Sequence, residues 1–158
     1  QTYLATEGNE KFVMKGDNLY KGNTMLSGNY KLVDQLKDEQ DVEVSLFFGD
    51  VREVTTLKDE SGKREINTKM SSEVYDTLKK GEEYFATNVD VLGTDYYGYY
   101  VPVYQPGTKE FAGSVFCGRT QTQVTQSLRN TVISMAAVML VIFFGGFFLR
   151  HLLLYFLW

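Results

Sequence analysis

The pattern of apolar and polar residues separates a mixed first part of the chain from a continuously apolar segment near its end. Asn130–Leu149 carries no charged side chain and is bounded by Arg129 and by Arg150–His151. At about 1.5 Å per residue, a helix of this length is about 30 Å long, the hydrocarbon thickness of a bilayer. The segment is apolar around its whole circumference, whereas a core helix of a soluble protein has a polar stripe. The pattern therefore predicts a transmembrane helix at residues 129–151.

The residues after this segment, 152–158, are also apolar and read LLLYFLW. They extend the membrane helix, lie in the membrane interface with Tyr155 and Trp158 at headgroup depth, or are a remnant of truncation. The chain begins with Gln1 rather than Met. We therefore expect it to be a piece of a longer protein that lacks residues at both ends.

Helical spacing of apolar residues appears twice before the apolar segment. Tyr30, Val33 and Leu36 predict an amphipathic helix within Ser27–Gln40. Residues 71–81 predict a shorter helix, which has serines at its start, two apolar residues on one face and a glycine at its end.

Alternating apolar residues bounded by turn residues predict strands. The predicted strands are Val42–Phe48, Val51–Leu57, Glu83–Leu92, Thr94–Tyr104 and Glu110–Gly118. The Gly49–Asp50 turn joins the first two as a hairpin. A further helix is expected to begin within Gln121–Leu128 and to continue into the membrane segment. This order of elements describes an α+β domain, with a five-stranded antiparallel sheet flanked by helices.

Composition narrows the range of functions. The chain has 20 acidic and 16 basic side chains, and no basic patch, so nucleic acid is not an expected partner. Its single cysteine, Cys117, cannot form an intrachain disulfide, and its apolar surroundings predict a core position. The single histidine, His151, lies beside the membrane segment, so neither a nucleophilic triad nor a usual zinc site can be assembled. We therefore expect no enzymatic activity, cofactor or metal.

Binding residues are better represented than catalytic ones. Arg52 lies in a predicted strand, where a guanidinium presents a rigid fork to a carboxylate and Thr55 can add a hydroxyl. The following loop adds Arg64, Thr68 and Lys69. The strand that ends at residue 104 contributes five tyrosines, which can form apolar walls with hydroxyls at the rim.

A different interpretation of the same residues is purely structural. Arg52 can pair with Asp50 or Glu53 at the surface, and the tyrosines can be part of the core. Spacing alone leaves both interpretations open.

Three segments give a more specific indication: FFGDVREVTT at residues 47–56, KGEEYF at residues 80–85 and YYGYYVPVY at residues 96–104. Over roughly residues 12–119, the chain resembles the single-Cache sensory domain of bacterial methyl-accepting chemotaxis proteins, particularly the clostridial kind. The resemblance implies a PAS-like Cache fold with a five- to six-stranded antiparallel sheet. It also implies a long N-terminal helix on the outer face of the sheet, truncated here, and a homodimer.

The resemblance further implies a small ligand between the sheet and its covering loops. Related citrate and dicarboxylate sensors have an Arg-x-x-His motif on the second strand, which corresponds here to Arg52 and Thr55. Their second arginine is replaced by Gly98, and Tyr100 stands where an aromatic residue is expected. The loss of one cation favours a monocarboxylate or another small polar metabolite. The predicted ligand-binding residues are Arg52, Thr55, Arg64, Thr68, Lys69, Tyr84 and Tyr100.

One departure from the family concerns a turn. Asn67 precedes Thr68 where the family usually has glycine. Asparagine tolerates the left-handed backbone conformation better than most residues, so we expect the turn to be retained.

These expectations combine into one functional hypothesis. Residues 1–128 form an extracytoplasmic sensory domain of a chemoreceptor in the bacterial cell membrane, and residues 129–151 pass its signal through the membrane. The alternatives are a sensor of a membrane histidine kinase or diguanylate cyclase, and a non-sensing, membrane-anchored interaction domain. The orientation rests on the resemblance, because Arg129 against Arg150–His151 is a weak positive-inside signal.

Overall fold

Five antiparallel strands form the main sheet of the protein, in the order β5-β4-β8-β7-β6. The computed structural model describes residues 9–91 and 93–156. The strands of the main sheet are β4 (Glu43–Phe48), β5 (Val51–Thr55), β6 (Tyr84–Val91), β7 (Thr94–Tyr104) and β8 (Phe111–Thr120). All five predicted strands and the α+β class are therefore confirmed. The end of β6 that was predicted at Leu92 lies outside the described residues.

A second, smaller sheet precedes the main one and was not predicted. Its antiparallel strands are β1 (Phe12–Lys15), β2 (Asn18–Lys21) and β3 (Thr24–Met25). These strands are too short for an alternating pattern to stand out, although Phe12 and Leu19 are buried. The N-terminal helix implied by the resemblance is not found in residues 9–25, and residues 1–8 lie outside the described part of the chain.

Helix α1 (Lys31–Gln40) begins later than predicted, because Ser27 has another role. The Ser27 hydroxyl accepts a hydrogen bond from the Leu19 N–H at 2.8 Å, which ties the turn before the helix to β2. Helix α2 (Ser72–Lys79) agrees with the prediction. The hydroxyl of Ser71 caps it by accepting the Val74 N–H at 3.3 Å, which satisfies one of the free donors of the first turn.

The two faces of the main sheet carry separate apolar clusters. One face, which we call the pocket face, packs against α2 and includes Phe47, Tyr100 and Phe116. The other face, which we call the α1 face, buries Val44, Leu46 and Val54 with residues of α1 and the small sheet. Because side chains alternate along a strand, β4, β7 and β8 contribute to both clusters.

The predicted core position of Cys117 is wrong. Phe116 is completely buried on the pocket face, so its neighbour Cys117 projects from the α1 face and is exposed. Its cross-strand partner in β7, Tyr99, is also exposed there. This part of the α1 face is not covered by the described residues.

The expected turn at Asn67 is confirmed by a positive φ of 63°. The turn aligns the loop of residues 56–71 with β5. The Asn67 N–H donates to the Arg52 carbonyl at 2.7 Å, and the Arg52 N–H donates to the Thr68 carbonyl at 2.8 Å. This reciprocal pair fixes the loop against the edge of the sheet, directly beside Arg52.

The second unit of the chain is one helix, α3 (Gln121–Phe156). Its section Gln121–Arg150 is long and apolar enough to cross a membrane, and none of its apolar window is buried in the described structure. Thr131 and Ser134 donate to carbonyls of the helix itself, at 2.9 Å each, so their hydroxyls need no partner in an apolar medium. The prediction that the helix begins within Gln121–Leu128 and continues through the apolar segment is confirmed.

Candidate functional site

A cavity of about 510 Å³ lies between the pocket face of the sheet, the loop of residues 56–71 and the start of α2. This volume is within the range of small-molecule binding sites. The polar and aromatic side chains that line it include Arg52, Glu65, Thr68, Lys69, Glu73, Tyr84 and Tyr100. Five of the seven sequence-predicted ligand-binding residues are therefore among those that the structure brings together around one cavity.

Arg52 is the most unusual residue of this cavity. Its side chain is only 7% exposed, and its Nε has no hydrogen-bond partner among the described residues. Its Nη1 donates to the hydroxyl of Thr68 at 2.9 Å, and its guanidinium carbon lies 5.1 Å from the ring centroid of Phe47. No carboxylate within the described part of the chain forms an ion pair with it, so it is a buried cation without a counter-charge.

Burial lowers the pKa of the Arg52 guanidinium, while the acidic groups of Tyr100 and Glu65 act in the opposite direction. Arginine nevertheless stays protonated at physiological pH, because its ordinary pKa is so high. The guanidinium is therefore a charged group removed from water, and it favours the binding of an anion in the cavity.

The surface pairing of Arg52, left open by the sequence, is wrong. Asp50 pairs instead with Lys69, with 2.9 Å between the carboxylate and the ammonium. Glu53 lies on the α1 face of β5, where its carboxylate accepts a hydrogen bond from Ser27 at 3.3 Å. Lys69 itself is 67% exposed at the cavity rim, so its charge is solvated and already compensated.

The two aromatic residues of the site combine packing with polarity. Tyr100 is buried, and its ring lies 4.8 Å from Phe116 and 6.3 Å from Tyr84, between centroids. Burial raises the pKa of the Tyr100 hydroxyl, and the charge of Arg52 opposes this. The hydroxyl of Tyr84 donates to Glu73 at 3.1 Å, which raises the pKa of Tyr84. Tyr100 therefore belongs to the core and to the cavity wall together.

The surroundings of Gly98 explain why this position of the cavity wall does not carry the second arginine of the related sensors. A Cβ atom at this position would lie 2.6 Å from the Phe116 ring, and one at Gly118 would lie 2.5 Å from the same ring. The ring of Phe116 therefore occupies the space above both glycines. A long side chain at residue 98 cannot share that space, so the cavity keeps one buried guanidinium.

The structure places two predicted residues outside the cavity, which corrects the sequence interpretation. Thr55 is fully buried and shares a 2.7 Å hydrogen bond with Ser45 beneath the cavity floor. Arg64 turns toward α1, where its two Nη atoms contact the carboxylate of Asp34 at 2.8 and 2.7 Å. Its guanidinium also lies 4.0 Å from the ring centroid of Tyr30. Because the loop wraps around the edge strand β5, Arg64 lies at its base and connects the loop to α1.

Sequence reasoning missed Glu65 and Glu73 as cavity residues. Both look like ordinary solvated charges in the sequence, and only the path of the loop and the position of α2 bring them to the cavity. Within the described residues, no group of three or more His, Cys, Asp and Glu side chains could hold a metal ion.

An antiparallel sheet with a ligand-sized cavity under a loop and a helix is typical of a domain that binds small molecules, and the helix that follows it is long and apolar enough to cross a membrane. The family described as single Cache domain 3 matches residues 24–131, which is more than half of the chain. The chain therefore belongs to this family, and the PAS-like Cache fold is confirmed. Cache domains sense small molecules outside the cell. No curated protein matches the chain.

Proposed function

We propose that this Cache domain binds a small carboxylate in the cavity, with Arg52 as the anchor of the carboxylate group. The observation that carries the proposal is the buried guanidinium, which forms no ion pair with any carboxylate of the described residues. A buried charge is normally paired, because an uncompensated one destabilises the fold. A carboxylate of the ligand supplies this partner and can accept two parallel hydrogen bonds from the fork.

A single carboxylate fits the cavity better than two or three. Arg52 is the buried cation among the described residues that line the cavity, and the Phe116 ring fills the space at Gly98. A dicarboxylate would place its second charge near Glu65 and Glu73 instead of near a cation. We therefore propose a monocarboxylate or another small polar metabolite, bound without catalysis.

The signal would leave the domain through β8. Phe116 of β8 packs against Tyr100 of the cavity wall, and β8 ends at Thr120, immediately before α3 begins at Gln121. A ligand shifts the signalling equilibrium only if it binds one arrangement more tightly than the other. A displacement of Tyr100 or Phe116 by the ligand would reach the membrane helix through a short covalent path.

We propose that the receptor is a homodimeric methyl-accepting chemotaxis protein of the clostridial kind, with residues 1–128 outside the bacterial membrane and residues 129–151 spanning it. The support is the resemblance of the three segments at residues 47–56, 80–85 and 96–104. A histidine kinase or diguanylate cyclase would use the same sensory domain.

A second candidate function is protein interaction without sensing. It is favoured by an apolar patch on the α1 face, where Phe85 is 61% and Tyr99 is 41% exposed. The buried Tyr100 and the cavity favour sensing instead. The patch is compatible with both, since a dimeric sensor also needs a contact surface.

Ligand binding can be tested by thermal shift of the full chain in detergent micelles against small carboxylates, amino acids and nucleobases. A ligand at one hundred times its dissociation constant stabilises the protein by about 2.7 kcal/mol, which is a shift of several degrees. We expect Arg52→Met to abolish the shift. Lys63→Met, which removes an exposed cation of the same loop outside the cavity, is the matched control and should retain the shift. A shift that is unchanged in Arg52→Met would contradict the proposed site.

A further inference from the structure

The cavity has an acidic side as well as a basic one. Glu65 and Glu73 both line it, and neither forms an ion pair within the described residues. Glu65 lies close enough to Arg52 to influence the pKa of the guanidinium, but not within ion-pair distance. Glu73 accepts the hydroxyl of Tyr84 and keeps its other carboxylate oxygen for a further donor.

The other two charged residues at the cavity already have a partner in the structure, an ion pair for one and a hydrogen bond for the other. Lys69 pairs with Asp50 at 2.9 Å, and the carboxylate of Asp90 accepts the Gly93 N–H at 2.8 Å in the turn after β6. One cation, Arg52, and two carboxylates therefore remain for a ligand. A purely anionic ligand would satisfy the cation but would be repelled by the carboxylates, because like charges in a desolvated site are unfavourable.

The aromatic residues add a second feature that suits a positive group. The rings of Tyr84 and Tyr100 meet edge to face, with centroids 6.3 Å apart. The hydrogen bond from Tyr84 to Glu73 places a carboxylate next to this aromatic pair. Aromatic faces beside a carboxylate are a favourable environment for an ammonium group, which the ring quadrupole and the negative charge both attract.

We propose that the ligand is a zwitterion, with its carboxylate at Arg52 and its cationic nitrogen between Glu65, Glu73 and the two tyrosines. This proposal rests on the proposed function, because it assumes that Arg52 anchors the carboxylate. The observations that it adds are the two carboxylates at the cavity and the tyrosine pair beside Glu73. A volume of about 510 Å³ holds an α-amino acid or a betaine.

The test is isothermal titration calorimetry on the full chain in lipid nanodiscs, with pairs of probes that differ in the nitrogen. The twenty common α-amino acids are compared with their des-amino carboxylates, and glycine betaine is compared with its isostere 3,3-dimethylbutanoate, in which a carbon atom replaces the cationic nitrogen. We expect a zwitterion to bind at least about tenfold more tightly than its partner, as the loss of a charged contact implies.

Variants of the two cavity carboxylates test whether the cationic nitrogen of the ligand binds beside them. Glu65→Gln and Glu73→Gln should each weaken the zwitterion about tenfold and leave the des-amino carboxylate unchanged or slightly tighter. Glu82→Gln, an exposed carboxylate outside the cavity, is the control and should change neither. Arg52→Met should weaken both members of a pair.

The outcomes separate the two proposals. Des-amino carboxylates that bind as tightly as the zwitterions, and still depend on Arg52, would overturn the zwitterion and leave the carboxylate site intact. Equal losses of both probe types in Glu65→Gln and Glu73→Gln would also overturn it. Absence of binding by every probe, or binding indifferent to Arg52→Met, would overturn the proposed function and this inference with it.

Discussion

Replacing Arg52 with methionine is expected to stabilise the ligand-free protein, although it removes the proposed anchor of the ligand. The guanidinium is 7% exposed, its Nε has no partner among the described residues, and no carboxylate compensates its charge there. Methionine keeps an unbranched apolar stem of similar length over the ring of Phe47. The variant therefore removes the desolvated charge and retains much of the packing.

The magnitude follows from three contributions. Removal of an unsatisfied buried donor stabilises the protein by about 1–3 kcal/mol. The lost hydrogen bond to Thr68 and the lost cation contact with Phe47 together cost about 1–2 kcal/mol. A sulfur–aromatic contact with Phe47 returns about 0.3–1.5 kcal/mol. The free energy of unfolding of the ligand-free protein should thus rise by about 1 kcal/mol, which corresponds to a Tm increase of about 3–6 °C.

The assay is thermal unfolding of the full chain in detergent, without ligand, followed by the near-ultraviolet circular dichroism of its tyrosines. Lys69→Met is the control, since an exposed ion pair contributes only about 0–1 kcal/mol. A Tm that falls by several degrees in Arg52→Met would refute the reasoning. It would mean that the guanidinium stabilises the ligand-free cavity and needs no anion of a ligand to compensate its charge.

Three further variants test the surroundings of the site. Arg64→Ala removes both contacts to Asp34 and should lower the free energy of unfolding by about 2–3 kcal/mol in chemical denaturation, with ligand affinity changed less than threefold; a large loss of affinity would place Arg64 in the binding site after all. Gly98→Ala puts a Cβ 2.6 Å from the Phe116 ring and should cost about 1–3 kcal/mol of stability, whereas an unchanged Tm would show that the ring can move aside. Burial raises the pKa of Glu53 above its ordinary value of 4.5, so its contribution to stability is present below that value and is lost as pH rises through its folded pKa. Glu53→Gln should therefore lessen the loss of Tm between about pH 4 and pH 6, and an unaltered pH profile would contradict this assignment.

The main sheet could be predicted because turn residues mark the ends of its strands in the sequence. The Gly49–Asp50 turn and the alternation on both sides of it specify a hairpin, and the structure contains it. The small sheet of β1–β3 could not be predicted in this way. Its strands are only two to four residues long, and they are stabilised by contacts with α1 and the main sheet that no local pattern records.

The site was predictable on the strands and not in the loop. Tyr100 lies on the pocket face because of its register in β7, which the alternation indicates. Arg52 reaches the same face through a bulge in the pairing of β4 with β5, which places Arg52 and Val54 on opposite faces. The direction of Arg64 depends on how residues 56–71 wrap around the edge strand, and this path is set by tertiary contacts with α1. The position of Glu73 at the cavity likewise depends on how α2 packs against the sheet, which is a tertiary contact.

The buried charge of Arg52 destabilises the ligand-free domain, and relief of this destabilisation by a ligand is the basis of the proposed sensing. In the ligand-free domain, the guanidinium donates one hydrogen bond to Thr68, and its Nε has no partner among the described residues. A ligand that accepts a hydrogen bond from this Nε gains binding energy for which none of these residues competes. The backbone bonds between Arg52 and residues 67–68 fix the loop next to the occupied site, while the contact of Tyr100 with Phe116 connects the cavity wall to β8. Arg52→Met, which stabilises the ligand-free domain, should therefore also abolish the stabilisation by ligand. The same unpaired charge destabilises the ligand-free domain and binds the ligand.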